Sequence, residues 1–285
     1  MSGSVDSIDV NGVKQDTFRA RPWIVVAHQS HILHSKCSAP AVCAKQPKGS
    51  DQTCLFCQFE AKLPNLPSFP DMTFPRNRLV VKHEEHGYGI EFNCLEALKT
   101  VRRDEDGQVL EVGVADAWKE ARSDCEFSKR ILKKFDWTFG TDYQGTLMPS
   151  SQGNCISFEK TSETIDMERL KSRDEILFYD SIDLYEDELA DHGVAKLDVK
   201  IRVMKGYFFI LLRYFLRVDH ILARVQDVRI FHDFNTDYLL QEVSRREMSL
   251  KNTDIPADVL SDPVKLTQRL TLVFQENHKL VFPVE

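Results

Sequence analysis

Lys196-Leu197-Asp198-Val199-Lys200-Ile201-Arg202-Val203 decides the fold. Apolar Leu197, Val199, Ile201 and Val203 alternate with charged Lys196, Asp198, Lys200 and Arg202, a period of two that gives a strand one buried and one wet face. Phe208 to Val218 follows, apolar on nearly both faces, as a central strand of a packed sheet reads. Asp219-His220 makes a tight turn, and Ile221 to Phe231 returns antiparallel. Downstream, a helix is expected near Tyr238 to Leu250. Another opens at Asp262 with Pro263 at its first position, and Leu266, Leu270, Val273 and Phe274 fall on one face of it at helical spacing.

Working back toward the amino terminus, Leu79 to Lys82 and Gly89 to Phe92 read as two strands joined by a turn. Asn93 caps a helix, with Glu96 three residues on in the capping-box position and Leu95, Leu98 and Val101 as its apolar stripe. Val109 to Val112 reads as a strand, Ala115 to Arg122 as a short helix, Asp136 to Leu147 as a strand and Asp166 to Arg173 as a helix. Arg21 to Leu33 holds a first strand around Trp23. Between it and Leu79 lies a composition break, with six of the eleven prolines from Pro40 to Pro75 and a short helix expected at Cys54 to Leu63. The fold class is α+β, mainly an antiparallel β-sheet core with short flanking helices. Residues 1–16 are expected to be a flexible segment, and 17–285 a single domain with a Cys/Pro-rich insertion near 36–75.

Composition narrows the function. The chain has 285 residues, 44 acidic against 37 basic side chains and a net charge of -7. A general nucleic-acid binder needs a basic surface to displace counterions from phosphates, so that class is excluded, as is docking on an anionic membrane. The apolar run Tyr207 to Leu212 stops at Arg213, far short of the ~20 residues a spanning helix requires. The polar start carries no signal-peptide core. Seven thinly spread cysteines fit reduced thiols and a cytoplasmic location.

Catalytic signatures are missing: there is no P-loop, no G-x-S-x-G elbow and no H-E-x-x-H. His83-Glu84-Glu85-His86 sits in a turn expected to splay its imidazoles apart. Cys37, Cys43, Cys54 and Cys57 could close a four-thiolate zinc site. The five residues between the first pair, and the fit of Cys54-x-x-Cys57 to a buried helical turn, favour free thiols in an insertion. No metal and no cofactor are expected. Asp174 to Asp191 holds eight acids and no Lys or Arg. Such a patch attracts a basic partner or a cation, or else pairs with basic residues of its own fold.

Five segments together resemble one family. They are Gly89 to Asn93; Asp136 through Tyr143 to Leu147; Glu186 through His192 to Val194; Val199 to Met204; and Leu211 to Arg217. This is the TOR signalling pathway regulator-like (TIPRL) family, and the resemblance runs from about Trp23 to Pro283. It implies a non-catalytic regulator that binds catalytic subunits of type 2A-like serine/threonine phosphatases and restrains their activity or assembly within TOR signalling. It also implies a cleft for the phosphatase's carboxy-terminal tail, lined here by Glu96, Ile165, Val225 and Asp227. Glu96 stands where an Asp is usual and Val225 where a Met is. On chemistry, Ile165 and Val225 could take an apolar tail side chain while Glu96 and Asp227 accept peptide N–H groups. The alternative makes the apolar pair core and both acids caps. Lys36 to Gln58 has no counterpart in the resemblance. Two other functions remain open: a metal-dependent hydrolase using the 174–191 acids, and a small-ligand-binding β-domain with a closed apolar cavity.

Overall fold

The computed structural model describes residues 5–8, 12–66, 68–101, 111–113, 135–251 and 253–283. Six strands form one antiparallel sheet in the order β1 (Val5–Ile8), β2 (Lys14–Ala20), β3 (Trp23–Gln29), β5 (Arg78–His83), β6 (Gly89–Asn93) and β9 (Thr146–Met148). Eight form a second: β10 (Ser157–Lys160), β16 (Thr271–Val281), β15 (Tyr238–Ser249), β14 (Leu222–Asp233), β13 (Tyr207–Val218), β12 (Gly193–Met204), β11 (Ile176–Asp187) and β4 (Met72–Thr73). β7 (Glu111–Gly113) and β8 (Phe135–Trp137) make a separate ribbon.

The alternating stretch lies within β12, and Leu197, Val199, Ile201 and Val203 are all buried. A two-residue loop, Lys205-Gly206, turns the chain into β13. Gly206 has a φ of 114°, a conformation open to glycine because it has no Cβ. A three-residue loop with His220 in the left-handed region returns it as β14. Phe208, Ile210, Leu212, Val228 and Ile230 join the buried β12 residues in one core with Trp23, Val25, Leu79, Val81, Ile90 and Phe92 of the other sheet. The two sheets therefore pack face to face, each fully buried large side chain stabilising the fold by roughly 1.5–3 kcal/mol. Trp23 joins them directly, with its ring 5.5 Å from Phe208, 5.0 Å from His232 and 5.3 Å from Phe282.

Several expectations are corrected. Tyr238 to Ser249 is strand β15, not a helix, because β14 and β16 satisfy its backbone on both edges. The helix opened by Asp262 ends at Thr267, and Thr271 to Val281 is strand β16. Leu266 and Leu270 are buried, but Val273 and Phe274 belong to the strand and are exposed. Here pairing with a neighbouring strand overrides local helical spacing. The strand expected from Asp136 to Leu147 divides into β8 and β9, with Phe139 between them at a positive φ of 47°. Residues 5–8 pair with 14–17 as β1 and β2, so part of the 1–16 segment takes strand structure. The helix expected at Ala115 to Arg122 lies outside the described residues.

Candidate functional site

Successive β14 side chains point to opposite faces. Val228 and Ile230 enter the core between the sheets, so Ala223, Val225 and Asp227 lie on the outer face of the larger sheet. Val225 is 1% exposed and packs with Phe215, Leu250, Leu266 and Leu270, beneath the helix Pro263–Thr267. At the other end of this face Ile165 is buried with Leu170, Met204, Tyr207 and Leu240, and its N–H donates to Glu242 Oε1 at 2.7 Å. Helix Met167–Lys171 follows, capped by the Asp166 side chain. Its Arg169 holds the segment down, donating to Asp233 Oδ2 at 2.6 Å and lying 4.6 Å over the Tyr207 ring.

Between these two apolar ends runs a charged row. Asp198, Arg213 and Asp227 are directly opposite one another on β12, β13 and β14. Arg213 donates to both oxygens of Asp227, at 2.7 and 2.8 Å, and Arg229 donates to Oδ2 at 3.1 Å. Asp227 is 2% exposed. Burial also pushes the Asp198 carboxyl above its usual pKa, with Lys200 at 3.5 Å countering. In this structure both Asp227 oxygens accept from guanidiniums, two bonds from Arg213 and one from Arg229. It is no cap, since it sits in mid-strand. Ile165 and Val225 are core, as the alternative reading has it.

Glu96 is placed elsewhere. It stands at the third position of helix Cys94–Lys99, where its N–H donates to Asn93 Oδ1 at 2.8 Å and its carboxylate pairs with Lys99 at 2.7 Å. It lines a pocket of about 790 Å³ with Leu55, Gln58, Lys62, Arg76 and Glu91, and none of the other three expected residues lines that pocket. The helix Leu55–Lys62 supplies one wall. The pocket is open and its lining mixes polar and apolar side chains, unlike the closed apolar cavity that a small-ligand-binding domain needs.

The remaining clusters separate clearly. The His83 and His86 rings do not splay; their centroids are 4.5 Å apart, and the His86 N–H donates to His83 Nδ1. The acids of 174–191 are largely used inside the fold. Lys196 pairs with Asp183 and Glu186, and buried Asp187 accepts from the N–H groups of Asp71 and Leu189. Among the described residues the His, Cys, Asp or Glu side chains that converge as a metal would need are Cys37, Cys43, Cys54 and Cys57, whose sulfurs all lie within 4.8 Å of one another. Their sequence spacing alone favours free thiols in an insertion over a closed four-thiolate site. Arg213, Arg229 and Arg169 are not among the residues that the sequence singles out. A signal for the first was present, since a hairpin centred on His220 sets Arg213 opposite Asp227.

Two opposed sheets, a long antiparallel meander and a buried charged row define a β-rich scaffold with an elaborated outer face. The model of the TIP41-like family matches residues 72–254. A TIP41-like protein of Rattus norvegicus is 38% identical over 267 residues, 93% of this chain and 90% of its own length. The TIP41-like protein of Homo sapiens is 37% identical over 263 residues, 92% and 88% of the two chains. A protein of Saccharomyces cerevisiae named type 2A phosphatase activator TIP41 is 35% identical over 205 residues, 67% of this chain and 55% of its own. This chain belongs to the TIP41-like family. Among its described residues no helix is long and apolar enough to cross a membrane.

Proposed function

We propose that this protein is a non-catalytic cytoplasmic regulator that binds the catalytic subunit of type 2A-like serine/threonine phosphatases and acts within TOR signalling. The observation that carries the reading is family membership across most of the chain, together with the yeast relative's name as a type 2A phosphatase activator. Ile165, Val225 and Asp227 share one face, and we assign them the task of shaping the surface that meets the phosphatase. Buried as they are, they act by holding Arg229 and the 161–173 segment in place. Glu96, which reaches a pocket wall, is the residue of the four assigned to touch the carboxy-terminal tail directly.

The test is equilibrium binding of the full chain to a recombinant type 2A catalytic subunit, with and without its tail. Truncating or reversing a central contact costs upward of ~1–2 kcal/mol, about a five- to thirtyfold loss. Glu96→Arg and removal of the tail should each weaken binding by that much, and together by little more. Undiminished binding after tail removal eliminates the tail contact. Failure of the wild-type chain to bind any such subunit eliminates the function. A phosphopeptide-hydrolysis assay on the complex decides between restraint, the direction proposed here, and the activation in the yeast relative's name.

A further inference from the structure

The cysteine cluster is built by three short turns of chain. Cys37 follows the end of the first-sheet strand β3. Cys43 closes the single turn Pro40–Cys43, and its N–H is bonded back to the Ala39 carbonyl at 2.9 Å. Cys54 is the residue that opens helix Leu55–Lys62, and Cys57 lies three residues further on, which places both sulfurs on one side of the helix start. The segment between β3 and β4 thus contributes four ligands from separated positions, with five, ten and two residues between them.

The distances suit a metal. A tetrahedron with zinc–sulfur arms of about 2.3 Å has sulfur–sulfur edges of about 3.8 Å. Cys37 and Cys54 are 3.6 Å apart, and every pair is within 4.8 Å. All four are reduced. Their surroundings suit anionic sulfur as well: the Cys54 N–H points at Cys43 Sγ from 3.3 Å, and the positive end of the helix dipole opens beside Cys54 and Cys57. Nothing about the apolar packing requires the sulfurs to meet. Phe59 and Leu63 already anchor the helix in the main core, and Phe56 and Phe69 meet edge to face at 5.5 Å.

We propose that Cys37, Cys43, Cys54 and Cys57 bind one zinc ion in a closed four-sulfur site that fixes helix Leu55–Lys62 as a wall of the Glu96 pocket. Four thiolates leave no open position for water, so the site is structural and not catalytic. Soft thiolate ligands select zinc over magnesium or calcium. Binding releases the thiol protons as the sulfurs become thiolates. The match to the family model begins at residue 72, downstream of all four ligands. The proposal stands whether or not the phosphatase reading does.

The full chain, expressed with zinc supplied and purified without chelator, should carry one zinc per chain by elemental mass spectrometry. Replacement by cobalt should give the strong visible bands of a tetrahedral four-thiolate centre. Cys54→Ser/Cys57→Ser should lose the metal, and Cys155→Ser, an exposed cysteine outside the cluster, should keep it. Should the double variant fail to fold, the wild-type chain decides by native-state alkylation: four thiols protected with zinc and released by chelation support the site. Far substoichiometric zinc, retention by the folded double variant, an octahedral cobalt spectrum, or alkylation unchanged by chelation would each overturn it. Hydrogen exchange over residues 37–62 should quicken on chelation while β12 to β14 stay protected.

Discussion

Asp227→Leu tests the charged row directly. The substitution removes the partner of Arg213, whose side chain is 12% exposed and bonded to both carboxylate oxygens. Breaking a buried pair by deleting one member typically costs 3–5 kcal/mol, because the other charge is left desolvated and uncompensated. Two neighbours reduce that figure. Asp198 faces Arg213 from β12, and Arg229, at 27% exposure, can turn to solvent. The loss should therefore fall at the lower end, about 3 kcal/mol, which lowers the melting midpoint by about 6 °C for a chain of this size. Urea unfolding followed by tryptophan fluorescence measures it. Adding Arg213→Met removes the stranded cation, so the double variant should recover at least half of the loss. A single variant within ~1 kcal/mol of wild type, or a double variant no more stable than the single, refutes the account. The same reasoning disqualifies Asp227→Leu as a clean binding probe, since weakened binding would mix with weakened folding.

Two further outcomes are expected. Burial among Trp23, Phe208 and Phe282 lowers the His232 pKa from 6.5 to about 4, so the unfolded chain binds the extra proton first. Stability is fully present above about pH 6.5 and falls as the pH drops through about 4, by roughly 3 kcal/mol; His232→Gln should flatten this part of the stability–pH curve, and an unchanged slope would contradict it. Asn93→Ala removes the acceptor of the Glu96 N–H and should cost about 1 kcal/mol in urea unfolding, a change below ~0.3 kcal/mol arguing that the cap is idle.

The central hairpins were legible because their signals are local and agree: alternation in β12, continuous apolar character in β13, and a turn at His220 with Gly206 at the preceding one. β15 and β16 were not, since Tyr238 to Ser249 buries residues on both faces and the spacing of Leu266, Leu270, Val273 and Phe274 mimics a helix. Only strand pairing, a long-range fact, separates the alternatives. Site residues show the same division. The cap at Asn93 was readable from four residues, whereas the partners of Asp227 require the register of a hairpin. The cysteine cluster depends on a chain reversal between Cys43 and Cys54, with intervals outside the usual finger spacing, so sequence distance hides what three dimensions collect.

The acidic run from Asp174 to Asp191 has a bearing on solubility. β11 pairs with β12 along one side, but on the other it meets only the two residues of β4, at Tyr185 and Glu186. The first half of that strand is thus an open edge among the described residues, and Ile176, Leu177 and Tyr179 beside it are exposed. Such an edge is a template on which a second chain can add a strand, and charge along it is a common protection. Asp180 is held by Gln29 and Asp183 by Lys196, but Asp174 and Glu175, exposed at the strand's start, would meet the same charges on an incoming identical strand. Like charge at that point opposes edge pairing between two copies of the chain, and the opposition weakens as salt screens it.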